Sequence, residues 1–197
     1  MIDPNIEIGR KVAHLVGGVM LAGLVFYNIV NAFLLIMITL ILGLLFLLAR
    51  KKHIPILAWL LDNFERREDR KHFPGKGSMY FLIGSIIVLI LFSKDIAIAA
   101  ILILAIGDSI PNIVGMYYKK FRHPFSNKRF LEGALVGFVL SFLAVINFVI
   151  WYEALIATSI ALFLEALDLQ IGNWRLDDNI LIPVSAGISI FILRLFF

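Results

Sequence analysis

The sequence predicts an all-α, polytopic integral membrane protein with about seven transmembrane helices and a cytoplasmic N-terminus. Of its 197 residues, 61% are hydrophobic and only 16% are charged, whereas soluble domains carry far more charge. So few polar side chains cannot cover a water-soluble domain. The apolar residues also form runs long enough to span a bilayer. Cysteine is absent, which excludes disulfides, thiolate catalysis and zinc–thiolate sites.

The apolar runs define the expected spans, which are 13–30, 32–49, 79–92, 96–118, 131–150, 154–167 and 180–196. The run 54–64 is too short to cross a membrane and predicts an interfacial or re-entrant helix, which we expect to line a lateral opening for a lipid. Ser93–Asp95 is expected to be a turn. This turn places every Lys and Arg residue except Lys94 and Arg194 on one side, which the positive-inside rule makes cytoplasmic.

The basic residues do not indicate a nucleic-acid partner. The net charge is +4, but the basic residues lie in short clusters between apolar runs, which is a topology signal. No protein partner is implied either. We find no linker or internal repeat, so the chain 1–197 is expected to be one membrane-embedded domain.

Asp108 is the sharpest candidate for chemistry, because a charged residue within an apolar segment is by default functional. Pro111 cannot donate a hydrogen bond to the carbonyl of Gly107, so we expect the helix to be kinked or broken there. The carboxylate and the freed carbonyl would suit a hard cation such as Mg²⁺, and a restarted helix would offer amides to phosphate. The alternative is a capping aspartate. Asn112 is a phosphate-binding candidate or makes a local backbone hydrogen bond.

Other ionisable residues lie towards the same ends of their expected spans, and this convergence predicts a site. They are Arg10, Lys11 and His14 in the first span, Lys128, Arg129 and Glu132 at the fifth, Glu165 in the sixth, and Asp177 and Asp178 before the seventh. Basic groups suit phosphate oxygens, and carboxylates suit a metal. The catalytic candidates are Asp108, His14 and Glu132; the phosphate-binding candidates are Arg10, Lys11, Asn112, Lys128 and Arg129; the metal candidates are Asp108, Glu165, Asp177 and Asp178.

Each of these candidates also has a structural alternative. Arg10 or Lys11 would be an ordinary positive flank, and His14 a satisfied core histidine. Lys128 and Arg129 would belong to a solvated basic loop, and Asp177 or Asp178 would cap the last helix. Gly133 and Gly137 form a GxxxG spacing that favours close helix packing.

Together these motifs resemble the polyprenol kinase family, which includes dolichol kinases, phytol kinases and CTP-dependent diacylglycerol kinases. The resemblance is carried by Arg10-Lys11-x-x-His14 with Gly18, Gly77-Ser78-Met79-Tyr80-Phe81, Gly107-Asp108-Ser109 with Val114-Gly115, Lys128 to Gly133, Glu165-Ala166-Leu167, and Asp177-Asp178-Asn179 with Pro183.

The resemblance implies a kinase that transfers a nucleotide γ-phosphate, commonly from CTP, to the hydroxyl of a membrane lipid alcohol at the cytoplasmic face. The acceptor would be a polyprenol, a prenol or diacylglycerol, and Mg²⁺ would bind at Asp108. The proton acceptor stays open among His14, Glu132 and an aspartate. The short chain suggests a multi-pass protein of a prokaryotic cell membrane.

Two other functions are alternatives. A CTP-dependent lipid-phosphate cytidylyltransferase shares the Gly-Asp and Lys…Glu-Gly motifs. The histidine-glycine-glycine and aspartate-rich block that such enzymes usually carry is missing from this sequence. A small non-enzymatic transporter would carry a carboxylate on a broken helix, and two such helices in corresponding halves would be expected.

Overall fold

The computed structural model describes residues 4–49, 54–65, 73–122, 124, 130–167, 169–171 and 174–196. Within these residues the chain forms eight helices and one short antiparallel strand pair. The helices are α1 Pro4–Phe26, α2 Ala32–Ala49, α3 Pro55–Phe64, α4 Lys76–Leu91, α5 Lys94–Tyr117, α6 Leu131–Val145, α7 Trp151–Ala166 and α8 Asp178–Phe196, and the strands are β1 Gln170–Ile171 and β2 Trp174–Arg175.

The all-helical architecture is therefore confirmed, and so is the turn before α5. Helix α4 ends at Leu91 and α5 begins at Lys94, so the apolar residues on either side of Ser93 belong to separate helices. The short run after Pro55 is a helix of 10 residues. Helix α1 begins at Pro4, well before the first apolar run, and this places Arg10 and Lys11 inside the helix.

Among the residues that the structure describes, four helices are long and apolar enough to cross a membrane. They are α1 from Ile6, α2, α5 and α8. Helices α4 and α6 are apolar but shorter. The seven spans and the cytoplasmic N-terminus stay predictions.

Helix α5 is the centre of the bundle. In its most apolar stretch 83% of residues are buried, against 11% in α2, and α5 packs against α1, α4, α6, α7 and α8. A helix that is apolar on all sides belongs inside a protein or a bilayer. Helix α2 instead exposes large side chains such as Phe33 and Leu40, which water would disfavour and lipid would not.

Helix α5 is not broken at Pro111. It continues through the proline to Tyr117, so no new helix begins there and the expected amide site for phosphate is absent from α5. The proline lies against α6, where its ring contacts Gly137 and its carbonyl contacts Gly133. The two glycines therefore serve close helix packing, as their spacing predicts. This packing stabilises α5 at the point where Pro111 removes one backbone hydrogen bond.

The end of the bundle opposite Asp108 carries an ion cluster built around one buried carboxylate. Arg194 on α8 donates to both carboxylate oxygens of Glu153 on α7, at 2.8 and 3.0 Å. Its remaining nitrogen lies 2.6 Å from a carboxylate oxygen of Asp95 on α5. Glu153 is only 1% exposed. This cluster ties together the ends of three helices.

We expect Arg194→Met to destabilise the protein strongly, because it leaves the Glu153 carboxylate buried without its cation. The expected loss in the free energy of unfolding is about 2 to 5 kcal/mol. Lys94→Met is the matched control at the same end of the bundle. The Lys94 ammonium is exposed and donates to the carbonyl of Phe26 and the side chain of Asn28, so its loss should cost less than about 1 kcal/mol. Denaturation in detergent micelles measures both, and equal losses would contradict the role of the cluster.

Adjacent glycines in α1 provide a second test. A methyl group on Gly18 would overlap Ala105 of α5, whereas one on Gly17 would meet no atom within 4 Å. Gly18→Ala should therefore lower stability by about 1 to 3 kcal/mol because α1 must move away from α5. Gly17→Ala should leave stability unchanged or raise it by about 0.5 to 1 kcal/mol, since alanine favours helix. Thermal midpoints in micelles report the difference, and a neutral Gly18→Ala would show that α1 and α5 do not meet there.

Candidate functional site

A buried ion pair between α1 and α5 forms the centre of the site. The Lys11 ammonium donates to both carboxylate oxygens of Asp108 at 2.6 Å and to the Asp108 carbonyl at 3.0 Å. Both residues are buried. A carboxylate in an apolar interior is strongly disfavoured unless it is paired. Lys11 is therefore an interior residue and not a flanking charge, and its contact explains how Asp108 is accommodated in α5.

Two further carboxylates converge on Asp108. Glu165 near the end of α7 and Asp178 at the start of α8 each place one oxygen so that these atoms and one from Asp108 all lie within 4.8 Å of one another. Asp108 and Glu165 are buried, and Asp178 is partly buried. Three acidic groups this close repel one another unless cations or protons compensate them. The cluster is thus a candidate cation site built from three helices.

The fourth metal candidate, Asp177, is engaged elsewhere. Its carboxylate accepts hydrogen bonds from the backbone and side-chain nitrogens of Asn179, at 3.0 and 2.8 Å. This is the contact of a residue at a helix N-terminus, which matches the capping alternative. The structure therefore separates two adjacent aspartates that the sequence treats alike.

Several other candidates also make local contacts. Glu132 accepts a hydrogen bond from the Phe121 backbone at 3.0 Å, which joins the start of α6 to the segment after α5. The Asn112 amide donates to the carbonyl of Asp108 at 2.7 Å. Arg10 pairs with Glu7 at 2.5 Å. The phosphate-binding candidates Lys128 and Arg129 lie outside the described residues.

His14 lies beside the ion pair. Its Nε2 atom is 3.6 Å from an Asp108 carboxylate oxygen, and its ring makes an edge contact with Phe81 of α4, with centroids 4.8 Å apart. This nitrogen is buried and has no hydrogen-bond partner among the residues that the structure describes. His14 is therefore placed to meet a ligand as well as Asp108.

A cavity of about 400 Å³ begins at His14. Helices α1 to α4 and the start of α8 enclose it, and most of the lining side chains are apolar. The polar lining side chains are Arg10, His14, Glu65, Ser78 and Asn179. The short helix α3 contributes four of these side chains, and its expected role at a lateral opening for a lipid stays a prediction.

Glu65 and Asn179 are site residues that the sequence did not mark as ligands. The Glu65 carboxylate accepts hydrogen bonds from the amides of Gly75 and Lys76, at 2.7 and 3.2 Å, and so caps the N-terminus of α4. In the sequence, Glu65 follows an apolar run, and the helix breakers Pro74 and Gly75 come further along. These features do not reveal that the Glu65 carboxylate meets the start of α4.

Comparison with known proteins finds two relatives. The chain is 32% identical over 179 residues to the uncharacterized protein MJ1137 of Methanocaldococcus jannaschii, covering 90% of this chain and 88% of that protein. It is 27% identical over 146 residues to CTP-dependent diacylglycerol kinase 1 of Schizosaccharomyces pombe, covering 64% of each chain. No protein-family model matches the chain, and no solved structure matches it.

The ion pair predicts coupled stabilities for Lys11 and Asp108. Lys11→Met alone should be strongly destabilising, because the Asp108 carboxylate then lacks its cation. Adding Asp108→Asn should restore part of the loss, with a coupling energy of about 1 to 3 kcal/mol. Unfolding in micelles measures the two single variants and the double variant. Arg10→Met is the control, since Arg10 is partly exposed and pairs within its own helix. Strictly additive losses for Lys11 and Asp108 would argue against the pair.

Proposed function

Because the chain belongs to the same family as the archaeal protein MJ1137 and is a distant relative of a CTP-dependent diacylglycerol kinase, we propose that it is a membrane lipid kinase. It transfers the γ-phosphate of a nucleotide, with CTP favoured, to the hydroxyl of a lipid alcohol. The observation that carries the proposal is the cluster of Asp108, Glu165 and Asp178 beside an apolar cavity. An ionisable residue among membrane helices is by default functional, and three carboxylates this close require cations or protons to compensate their repulsion.

The donor set fits Mg²⁺, which prefers carboxylate oxygens together with substrate phosphates. Asp108, Glu165 and Asp178 would hold the ion. When bound, it would neutralise the charge that develops on the phosphoryl group in transfer. Asp177 is not among the proposed ligands, because its carboxylate caps α8.

The chain's own residues would position the reactants. Lys11 holds the Asp108 carboxylate in place through two hydrogen bonds. The acceptor oxygen attacks the γ-phosphorus, the bond to the bridging oxygen breaks, and the nucleoside diphosphate leaves. The hydroxyl proton goes to a neighbouring side chain. Of the three candidates, His14 alone both lines the cavity and lies beside Asp108, which favours it over Glu132.

The remaining basic candidates and the topology complete the proposal. Arg10, Lys128 and Arg129 would contact the nucleotide phosphates, because their positive charges and N–H donors suit phosphate oxygens. The chain would cross the membrane seven times, with Asp108 towards the cytoplasm where nucleotides are present. The archaeal source of MJ1137 supports a prokaryotic cell membrane as the location.

Replacing a carboxylate of the cluster by its amide should abolish most activity, whereas the same change at the adjacent Asp177 should be tolerated. We expect Asp108→Asn, Glu165→Gln and Asp178→Asn each to lower the phosphorylation rate on the order of 100-fold or more, as loss of a buried electrostatic contact to a transferring group does. Asp177→Asn keeps an oxygen for capping and should lose far less. Rates of lipid phosphorylation by purified protein in micelles measure this, and similar losses at 177 and 178 would contradict the assignment.

Labelled nucleotides separate the kinase from the alternative enzyme. A kinase moves label into farnesol, phytol or diacylglycerol from γ-labelled CTP, whereas a cytidylyltransferase moves it into a lipid phosphate from α-labelled CTP. We expect γ transfer that needs a divalent cation and stops with a chelator. Lipid labelled from the α position alone would overturn the kinase. Running the same assay with ATP establishes the donor.

A further inference from the structure

We propose that the cavity between α1, α2, α3 and α4 binds the hydrocarbon tail of one single-chain lipid alcohol, with the hydroxyl at His14. The inference deepens the proposed function, because it presupposes that a lipid alcohol is the acceptor. It assigns the tail site to particular helices and predicts how many carbons the protein senses.

The cavity has the polarity that such a molecule requires. Its wall includes the side chains of Leu42 and Phe46 on α2, Leu57 and Leu61 on α3, and Phe81 on α4. Four of these five residues are buried, although the helices that carry them are otherwise exposed on their outer faces. An apolar wall with a few polar groups at one end is the usual form of a site for a small amphiphile.

Three of the polar residues that line the cavity each carry a buried atom that lacks a hydrogen-bond partner among the described residues. They are Nε of Arg10, Nε2 of His14 and Oδ1 of Asn179. A buried polar atom without a partner is unfavourable, so such atoms indicate a missing ligand. A hydroxyl is both donor and acceptor. A hydroxyl can therefore satisfy either a buried donor or a buried acceptor, whereas a hydrocarbon can satisfy neither.

Two of these lining residues adjoin the carboxylate cluster. His14 lies 3.6 Å from Asp108, and Asn179 directly follows Asp178 in the chain. A hydroxyl held by these two side chains is next to the proposed metal ligands. The tail then lies against the apolar side chains of α2, α3 and α4, which removes its hydrocarbon from water.

The volume limits the tail. An apolar cavity of about 150 Å³ accepts benzene, so a cavity of about 400 Å³ takes on the order of 15 carbon atoms by the same ratio. That is one chain of about farnesyl length. Carbons beyond it would leave past Ala13 and Leu60, which line the cavity and are exposed. Two acyl chains would not fit together.

The closing experiment measures phosphorylation of geraniol, farnesol and geranylgeraniol, which differ by one isoprene unit each, together with diacylglycerol. In the wild-type protein kcat/KM should rise about tenfold or more from geraniol to farnesol and change less than about threefold beyond it, because added carbons then lie outside the cavity. Diacylglycerol should be used at least about tenfold less well than farnesol.

Two variants fill the cavity and one serves as the matched control. Leu57 is 8% exposed and lines the cavity, whereas its neighbour Ile56 is 75% exposed on the outer face of α3. Leu57→Trp should raise KM for farnesol about tenfold or more and leave geraniol the better substrate, and Ile56→Trp should change neither. Gly17→Leu is the second filling variant, since Gly17 lines the cavity and a Cβ there meets no atom within 4 Å. If Leu57→Trp fails to fold, Gly17→Leu provides the test of the tail site.

A binding measurement separates this inference from the proposed kinase activity. Farnesol added without nucleotide should raise the thermal midpoint of the wild type and of Ile56→Trp, and should not raise that of Leu57→Trp or Gly17→Leu. Stabilisation with no phosphorylation of any alcohol would overturn the kinase and support the tail site. Phosphorylation with the same chain-length profile in all four proteins would overturn the tail site and leave the kinase standing.

Discussion

A lysine ammonium and an aspartate carboxylate, buried between two apolar helices, set the geometry of this molecule. Neither charge could remain in the interior alone, because the other is its principal compensation. Lys11 bonds both the carboxylate and the carbonyl of Asp108, and this fixes α1 against the central helix in rotation and in height. The positions of His14 and Gly18, one and two turns further along α1, follow from that contact, and so does the cavity that opens beside His14.

The helices were largely predictable because the composition of each segment determines them. Long apolar runs predict α2, α5 and α8, and the positive-inside rule predicts the turn before α5, since one helix continuing through Ser93 would place Lys119 and Lys120 opposite most other basic residues. The early start of α1 was missed, because Arg10 and Lys11 precede the first apolar run and suggested a flank. The unbroken helix at Pro111 was missed for another reason: its compensation comes from glycines of α6, which lie far away in the sequence.

The carboxylate cluster was predictable in part, and its side-chain detail was not. The order of the expected spans brings the C-terminal ends of α5 and α7 and the start of α8 to one end of the bundle. The sequence alone therefore groups Asp108, Glu165 and Asp178. Which of Asp177 and Asp178 faces the cluster depends on the first turn of α8, and one residue of rotation exchanges them. Glu132 and Glu65 contact backbone amides instead, and such contacts require knowledge of loop paths that composition does not contain.

The exposed position of α2 has an evolutionary consequence. Few of its residues are buried, and its main contacts are with α3 and α4 and not with α1, α5, α7 and α8, which hold the charged groups. The proposed tail site takes part of its wall, Leu42 and Phe46, from α2, whereas the ion pair and the carboxylate cluster lie on α1, α5, α7 and α8. On that proposal, substitutions in α2 would change the tail that fits without altering the charged groups.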